Sequence, residues 1–396
     1  MYSLQLPITI RLLKYAKHSL LTTKLVPPFR SYVTSTFSCG NNGTSPRAFS
    51  SPTEGRSEKK MLLETIELGK SHSQLEPQTF IGPYQLRWIS APELIQTQGY
   101  PVEEHEVETQ DGDWLVPVGK DPLPFQLYDA GFDVWLASNR GTTYSRHVKY
   151  SPQDSQFWDY NNNDIAQLDH TAVFDYVLEA TKKKMLQRFI GIAPYISSDH
   201  VDSPAKHFAQ PDIIKTAKWA LSKSSLTANG RFVPEQTRPL LQKLYLQMMK
   251  NPMHRKLFEK YLGLAVGTSA EGTCLKTIGT ALYEFPNDVS IHCVVELLEN
   301  MKYSKFFSSY FEESEQTQSP ALGLRYDLSK TSVPKTFYFM ENDTLVTVKD
   351  GRKLMQLCGP NSIGYIIKGF NHADALYGRS VGKLNAEIVA HLRSFL

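Results

Sequence analysis

Acidic residues are missing from the first fifty-three positions, cysteine is scarce, and no long apolar run occurs anywhere in this 396-residue chain. Each lack excludes something. Four cysteines, Cys39, Cys274, Cys293 and Cys358, are too few and too scattered for a disulfide framework or a CxxC metal site. One bridge, Cys274 to Cys293, and four free thiols are equally consistent with that count. No stretch approaches the roughly 18 apolar residues that a membrane-crossing helix needs. Neither sign of charge dominates: 43 Lys and Arg face 40 Asp and Glu, a net charge of +3, which excludes a strongly basic nucleic-acid binder. Phosphate loops, Rossmann glycine patterns and metal-ligand clusters are missing too, so no cofactor and no metal are expected.

The acid-free opening ends at Glu54, and its basic residues are Arg11, Lys14, Lys17, Lys24, Arg30 and Arg47, set among Ser and Thr. Leu12, Leu13, Ala16, Leu20 and Leu21 recur at helical spacing, the pattern of an organelle transit peptide. A secretory signal fits poorly, because the apolar stretch Leu4 to Ile10 contains Pro7 and meets Arg11 early. Residues 1–80 are therefore expected to be a transit-like or disordered extension outside the fold.

What is present is material for a core: 41% hydrophobic residues, with Tyr 20, Phe 20 and Trp 5. Folded sequence is expected from Ala91. Val102 to Thr109 alternates, Asp111-Gly112 supplies a turn and Trp114 to Val118 returns, which predicts a β-hairpin. Phe132 to Leu136 and Phe189 to Pro194 are short apolar runs of the buried-strand kind, with a helix between them that starts near Asp164 and ends at Lys182-Lys-Lys184. Residues 201–330 are helical in pattern, over Ile213–Leu221, Pro239–Met249, Met253–Leu264 and Val289–Met301. Strands follow at Lys335–Met340 and Ile363–Lys368, with helices at Val348–Cys358 and Lys383–Phe395. Strand–helix alternation around a helical block makes the class α/β with a helical insertion.

Two strand ends carry groups suited to catalysis. Met340 is followed by Glu341-Asn342-Asp343, and Lys368 by Gly369-Phe-Asn371-His372. An acid after one parallel strand and a histidine after the next is the spacing of an α/β-hydrolase triad, in which the acid fixes the imidazole tautomer and the imidazole takes the nucleophile's proton. Asp374 is expected to order the loop, and a metal role is not expected for His105 or His147. Asn42-Gly-Thr44 and Asn342-Asp-Thr344 are formal glycosylation sequons; the second overlaps Asp343 and is not expected to be used.

Longer words sharpen this. Gly99-Tyr-Pro-Val-Glu-Glu-His105, Gly131-Phe-Asp-Val-Trp-Leu-Ala-Ser-Asn-Arg-Gly-Thr142, Tyr144-Ser-Arg146, Asp175-Tyr-Val-Leu178, Tyr326-Asp-Leu-Ser-Lys330, Glu341-Asn-Asp343 and Phe370-Asn-His-Ala-Asp374 resemble the acid lipase family of α/β-hydrolases. The resemblance runs from Ala91 to the C-terminus and is weakest over 201–330, which would be the family's cap. It implies an α/β-hydrolase domain over 91–396 with that cap inserted, and Asp343 and His372 as catalytic residues.

In such lipases the nucleophile is a Ser in a G-x-S-x-G elbow between a strand and a helix. Where that strand and elbow belong, between Lys184 and Phe189, stand only Met185-Leu-Gln-Arg188. No G-x-S-x-G is expected anywhere in the chain; the nearest approach, Gly267-Thr-Ser269-Ala-Glu-Gly272 in the helical block, has its last glycine one place late and no strand before it. The family's His-Gly strand, which places an oxyanion-hole amide, is also missing before Gly131. In the usual hydrolase order these two strands lie side by side at the centre of the sheet. The expectation is thus a mostly parallel sheet lacking two central strands, with the nucleophile absent. Losing a nucleophilic Ser costs on the order of 10⁶ in kcat. A truncated splice form, a decaying copy or a gene prediction that skipped exons would each read this way.

The functional expectation is a relative of the lipases that hydrolyse neutral lipid esters (triacylglycerol or steryl ester), inactive as written. A non-catalytic lipid-binding or regulatory relative is the alternative. The expected partner is a lipid ester, with contact at a membrane or lipid-droplet surface and no nucleic acid. The family suggests a secreted or lysosomal setting, whereas the first residues suggest a mitochondrial leader.

Overall fold

The computed structural model describes residues 8–15, 62–68, 91–109, 122–137, 139–141, 145–195, 199–221, 230–232, 251–267, 289–303 and 327–395, with single positions of 240–250. In chain order the elements are β1 (Ile8–Tyr15), β2 (Leu62–Ile66), α1 (Ala91–Thr97), β3 (Glu103–Thr109), α2 (Leu123–Asp129), β4 (Val134–Ala137), β5 (Arg146–His147), α3 (His170–Ala180) and β6 (Phe189–Ile192). Then come α4 (Pro211–Leu221), α5 (Pro252–Val266), α6 (Ile291–Tyr303), β7 (Lys335–Met340), α7 (Val348–Cys358), β8 (Ser362–Ile367), α8 (Asp374–Tyr377) and α9 (Val381–Arg393).

One sheet has the order β2-β8-β7-β6 and is parallel throughout. Every residue of β7 is buried, because helices cover both faces of the sheet. Tyr338 and Met340 point into a core shared with Leu384, Ile388 and Leu392 of α9. Phe337 and Phe339 point the other way, against Leu354, Met355 and Cys358 of α7. Two-sided cover is why β7 reads as an unbroken apolar run rather than an alternating one. Gly351 of α7 lets that helix close down on the Phe339 ring, where a β-carbon would stand 2.5 Å from two ring carbons.

The second sheet is antiparallel, in the order β3-β1-β4 with β5 beside β1. Among the described residues β4 and β6 are not paired with each other: β4 pairs with β1 and β6 with β7, in separate sheets. Side chains still bridge the two sheets. Val134 and Leu136 share a core with Ile190 and Tyr338, and Trp135 packs on Val173, Val177 and Phe189.

Two described stretches of the first eighty residues, 8–15 and 62–68, lie against the sheets rather than outside the fold. Ile8–Tyr15 is a strand rather than part of a helix, and its Ile-Thr-Ile start favours the pleated backbone over the helical spacing of its leucines. Leu62–Ile66 pairs with β8 along its whole length, satisfying an edge that would otherwise hold unpaired backbone groups. The Lys368 backbone N–H donates to the Ile66 carbonyl, and the Lys368 ammonium pairs with Glu67. Of the expected hairpin only β3 is described; Asp111-Gly112 and Trp114–Val118 lie outside the described residues, as do Cys39, Cys274 and Ser269. Cys293 and Cys358 are free buried thiols, so the free-thiol reading holds at both described cysteines.

Between β4 and β6 the helix starts on a capping box. The Asn161 side chain accepts from the Asn163 and Asp164 amides, and the Asp164 carboxylate accepts from the Asn161 amide. Three helices, α4, α5 and α6, are described within 201–330. α6 is tied to the body by Glu296, whose Oε2 accepts from the Asn162 backbone and side-chain nitrogens, both at 2.9 Å.

Candidate active site

Asp343 and His372 stand just beyond the C-terminal ends of β7 and β8, neighbouring parallel strands. Backbone bonds zip the two following loops together. The Glu341 amide donates to the Ile367 carbonyl at 3.0 Å and the Asn342 amide to the Phe370 carbonyl at 2.9 Å. In return the Gly369 amide donates to the Glu341 carboxylate at 2.9 Å. The loops are thereby set side by side, and His372 Nδ1 lies 2.7 Å from Asp343 Oδ2.

The aspartate is anchored from behind. Its Oδ1 accepts from the Leu345 and Val346 amides, each at 2.8 Å, and the residue is 5% exposed. An ionised carboxylate only accepts, so Nδ1 carries the proton and the neutral ring keeps its lone pair on Nε2. The imidazole is partly open to solvent, with a third of its side chain exposed. This is the arrangement of a general base with its orienting acid. The loop after it is ordered by Asp374, whose Oδ2 accepts from the Asn371 backbone and side-chain nitrogens at 2.9 and 3.1 Å.

Between β4 and β6 in the chain the described residues hold one strand, the two-residue β5, which pairs with β1 and is followed by no strand-to-helix elbow that could carry a nucleophile to this pair. The spelling G-x-S-x-G does occur once, at Gly378-Arg-Ser380-Val-Gly382, and the expectation that the chain lacks it needs that correction. The context is not an elbow. Gly378 follows the short helix α8 rather than a strand, and Ser380 precedes α9 in the helical N-cap position. It also comes after the histidine, whereas the hydrolase order puts the nucleophile first.

His147 sits in β5, far from this pair in sequence, with Nδ1 accepting from the Lys149 and Tyr150 amides, both at 2.9 Å. Burial, with Arg140 and Lys149 nearby, holds its imidazole below the usual histidine range. No cluster of three or more metal-ligating side chains occurs among the described residues, and His105 lies in β3.

Sequence reading missed one buried ion pair. Arg140, in the loop after β4, donates to both oxygens of Asp169 at 2.9 and 3.4 Å. Burial pushes the Asp169 carboxyl up, and the Arg140 guanidinium pulls it back down. A wider π-type turn over Ile165–Asp169, just before α3, delivers the carboxylate to the arginine. The available signal was an aspartate falling on the same helical face as Ile165 and Ala172. A second pair joins His200 Nδ1 to the buried Asp350 carboxylate at 3.0 Å, on the segment leading from β6 into the helical block.

No family model matches the chain. Human Lipase member N is 22% identical over 374 residues, covering 78% of this chain and 92% of that protein. Bovine gastric triacylglycerol lipase is 22% identical over 348 residues, covering 73% and 87%. Among solved structures, a monoacylglycerol lipase from Paleococcus ferrophilus is 14% identical, covers 69% of this chain and 88% of that one, and superposes with a TM-score of 0.33. The architecture rests on the strand order of this chain and not on that superposition.

Proposed function

We propose, from the premise that this chain is an acid-lipase-like α/β-hydrolase, that it engages neutral lipid esters without hydrolysing them by a serine mechanism. The carrying observation is the Asp343–His372 pair, set at 2.7 Å on neighbouring strand ends, while β6 has no strand paired to its other edge among the described residues. The relatives named as lipases support a lipid ester as the ligand class. The lack of a strand–elbow–helix before β6 supports the lack of turnover, since an oriented imidazole with no hydroxyl to deprotonate begins no acyl transfer.

In this reading His372 Nε2 is a hydrogen-bonding group facing the ester, and the helices of 201–330 hold the acyl chains. Contact with a lipid surface fits the same reading. Phe208, Trp219, Met253 and Leu257 of that block are all more than half exposed.

The test uses the purified full chain with a p-nitrophenyl ester, a fluorophosphonate serine probe and mass spectrometry of co-purified lipid. Neither turnover nor labelling is expected, and ester lipid should be retained. Labelling at any serine, with Ser269 and Ser380 the first peptides to map, would overturn the proposal. Sequencing the transcript across codons 118–125 and 184–189 decides whether a longer form with the two strands exists.

A further inference from the structure

Among the described residues, a glycine of the helical block lies against the histidine. Helix α5 begins on Asn251, whose side chain accepts from the Met253 and His254 amides, with Pro252 in the first turn. It ends on Gly267, which is buried and adopts the left-handed conformation at φ 64° and ψ 53°. That conformation turns the chain out of the helix at little cost only for glycine, with asparagine the next most tolerant.

Gly267 does more than end a helix. A β-carbon there would stand 3.3 Å from both the Cβ and the backbone N of His372, and 3.8 Å from the Cβ of Asn371. Its carbonyl accepts from the Ala373 amide at 3.4 Å. The backbone of the insertion is thus seated directly on the backbone of His372.

We infer that Gly267 is a positioning residue for His372: the end of α5 fixes the histidine loop, so that the insertion and the Asp343–His372 pair are set as one unit. The inference rests on reading that pair as the remaining acid–base machinery of the site. A ligand that shifts α5 would then move the imidazole against its aspartate.

Two substitutions separate positioning from ordinary helix ending. Gly267→Ala adds a β-carbon and backbone strain; Gly267→Asn adds the same β-carbon with much less strain. The readouts are the ¹⁵N and ¹H resonances of the His372 ring and hydrogen exchange at the Ala373 amide. Both variants are expected to shift the ring resonances and to speed Ala373 exchange about five- to tenfold, the loss of one modest hydrogen bond. If Gly267 only ends the helix, the Asn variant keeps the wild-type His372 spectrum and Ala373 protection, and the inference fails. Should neither variant fold, a cross-relaxation peak between the Gly267 α-protons and the His372 amide in the unmodified protein decides: its presence supports the seating and its absence overturns it. None of these readouts involves ester turnover, so activity in the purified protein would refute the proposed function and leave this inference to its own test.

Discussion

Replacing Asp343 with Asn or with Ala removes the same negative charge but leaves different groups behind. The carboxylate meets three donors: the Leu345 and Val346 amides on Oδ1, and the His372 imidazole on Oδ2. Asparagine keeps an oxygen for the two amides and turns its NH₂ toward His372. Nδ1 must then present a lone pair, and the ring proton moves to Nε2. The expected stability loss is about 1 kcal/mol, the charge assistance of those hydrogen bonds. Alanine leaves all three donors unmet. A buried unmet donor costs about 1–3 kcal/mol. Val346 is 2% exposed and takes that cost in full, whereas the His372 side chain, a third exposed, recovers part of it from water. Asp343→Ala should therefore lose about 2–4 kcal/mol. Urea unfolding measures both losses, and ¹⁵N-detected imidazole spectra report which nitrogen is protonated. Equal urea midpoints for the two variants, or an Asn variant that keeps its proton on Nδ1, would refute the idea that one carboxylate anchors the turn and orients the ring.

Acid should weaken the fold through His391, which is 4% exposed and whose imidazole is pushed down to about 4 by burial and by the nearby Arg188 charge. A histidine held neutral in the fold contributes stability above its unfolded value near 6.5 that is lost as pH falls toward 4. The interval amounts to about 3 kcal/mol, and His391→Leu should flatten that decline in urea midpoint against pH. Gly351→Ala should cost about 1–3 kcal/mol by forcing its new methyl into the Phe339 ring; a variant as stable as the parent in thermal unfolding would show that α7 can back away. Arg140→Met strands the Asp169 carboxylate, whose side chain is fully buried, and should cost about 3–5 kcal/mol. Adding Asp169→Leu should restore most of it, and a double variant no better than the single one contradicts the pairing.

Much of the parallel sheet and of the acid–histidine pair is legible in the residues alone. The apolar run Phe337–Met340 with an acid three residues on, and the loop ending in His372, specify strand ends because sheet neighbours with two covered faces write themselves as continuous apolar words. The helical segment that runs from Asn162 into α3 is legible from Asn161 and Asp164, since capping is local chemistry. Three things are not. β2 is short and lies among residues of no folding pattern, and its place depends on an open edge of β8 that is just over 300 residues away. The Arg140–Asp169 pair joins a loop to a π-type turn, whose extra residue no regular period anticipates. Gly267 reads as a turn between helices, and only the fold reveals what its missing side chain makes room for.

The pairing of β2 with β8 bears on where a leader could be removed. A peptidase cutting before Leu62 would leave the parallel sheet whole, with Glu67 still bound to Lys368. A cut after Ile66 would instead turn β2 into a separate peptide, held on β8 by backbone bonds and side-chain packing alone. Gly364 of β8 lies where Leu63 and Met355 converge, so loss of that peptide would take the Leu63 side chain away from the strand that leads to His372. Either cut would also detach β1, the strand between β3 and β4, so the two sheets answer differently to the choice of cleavage position.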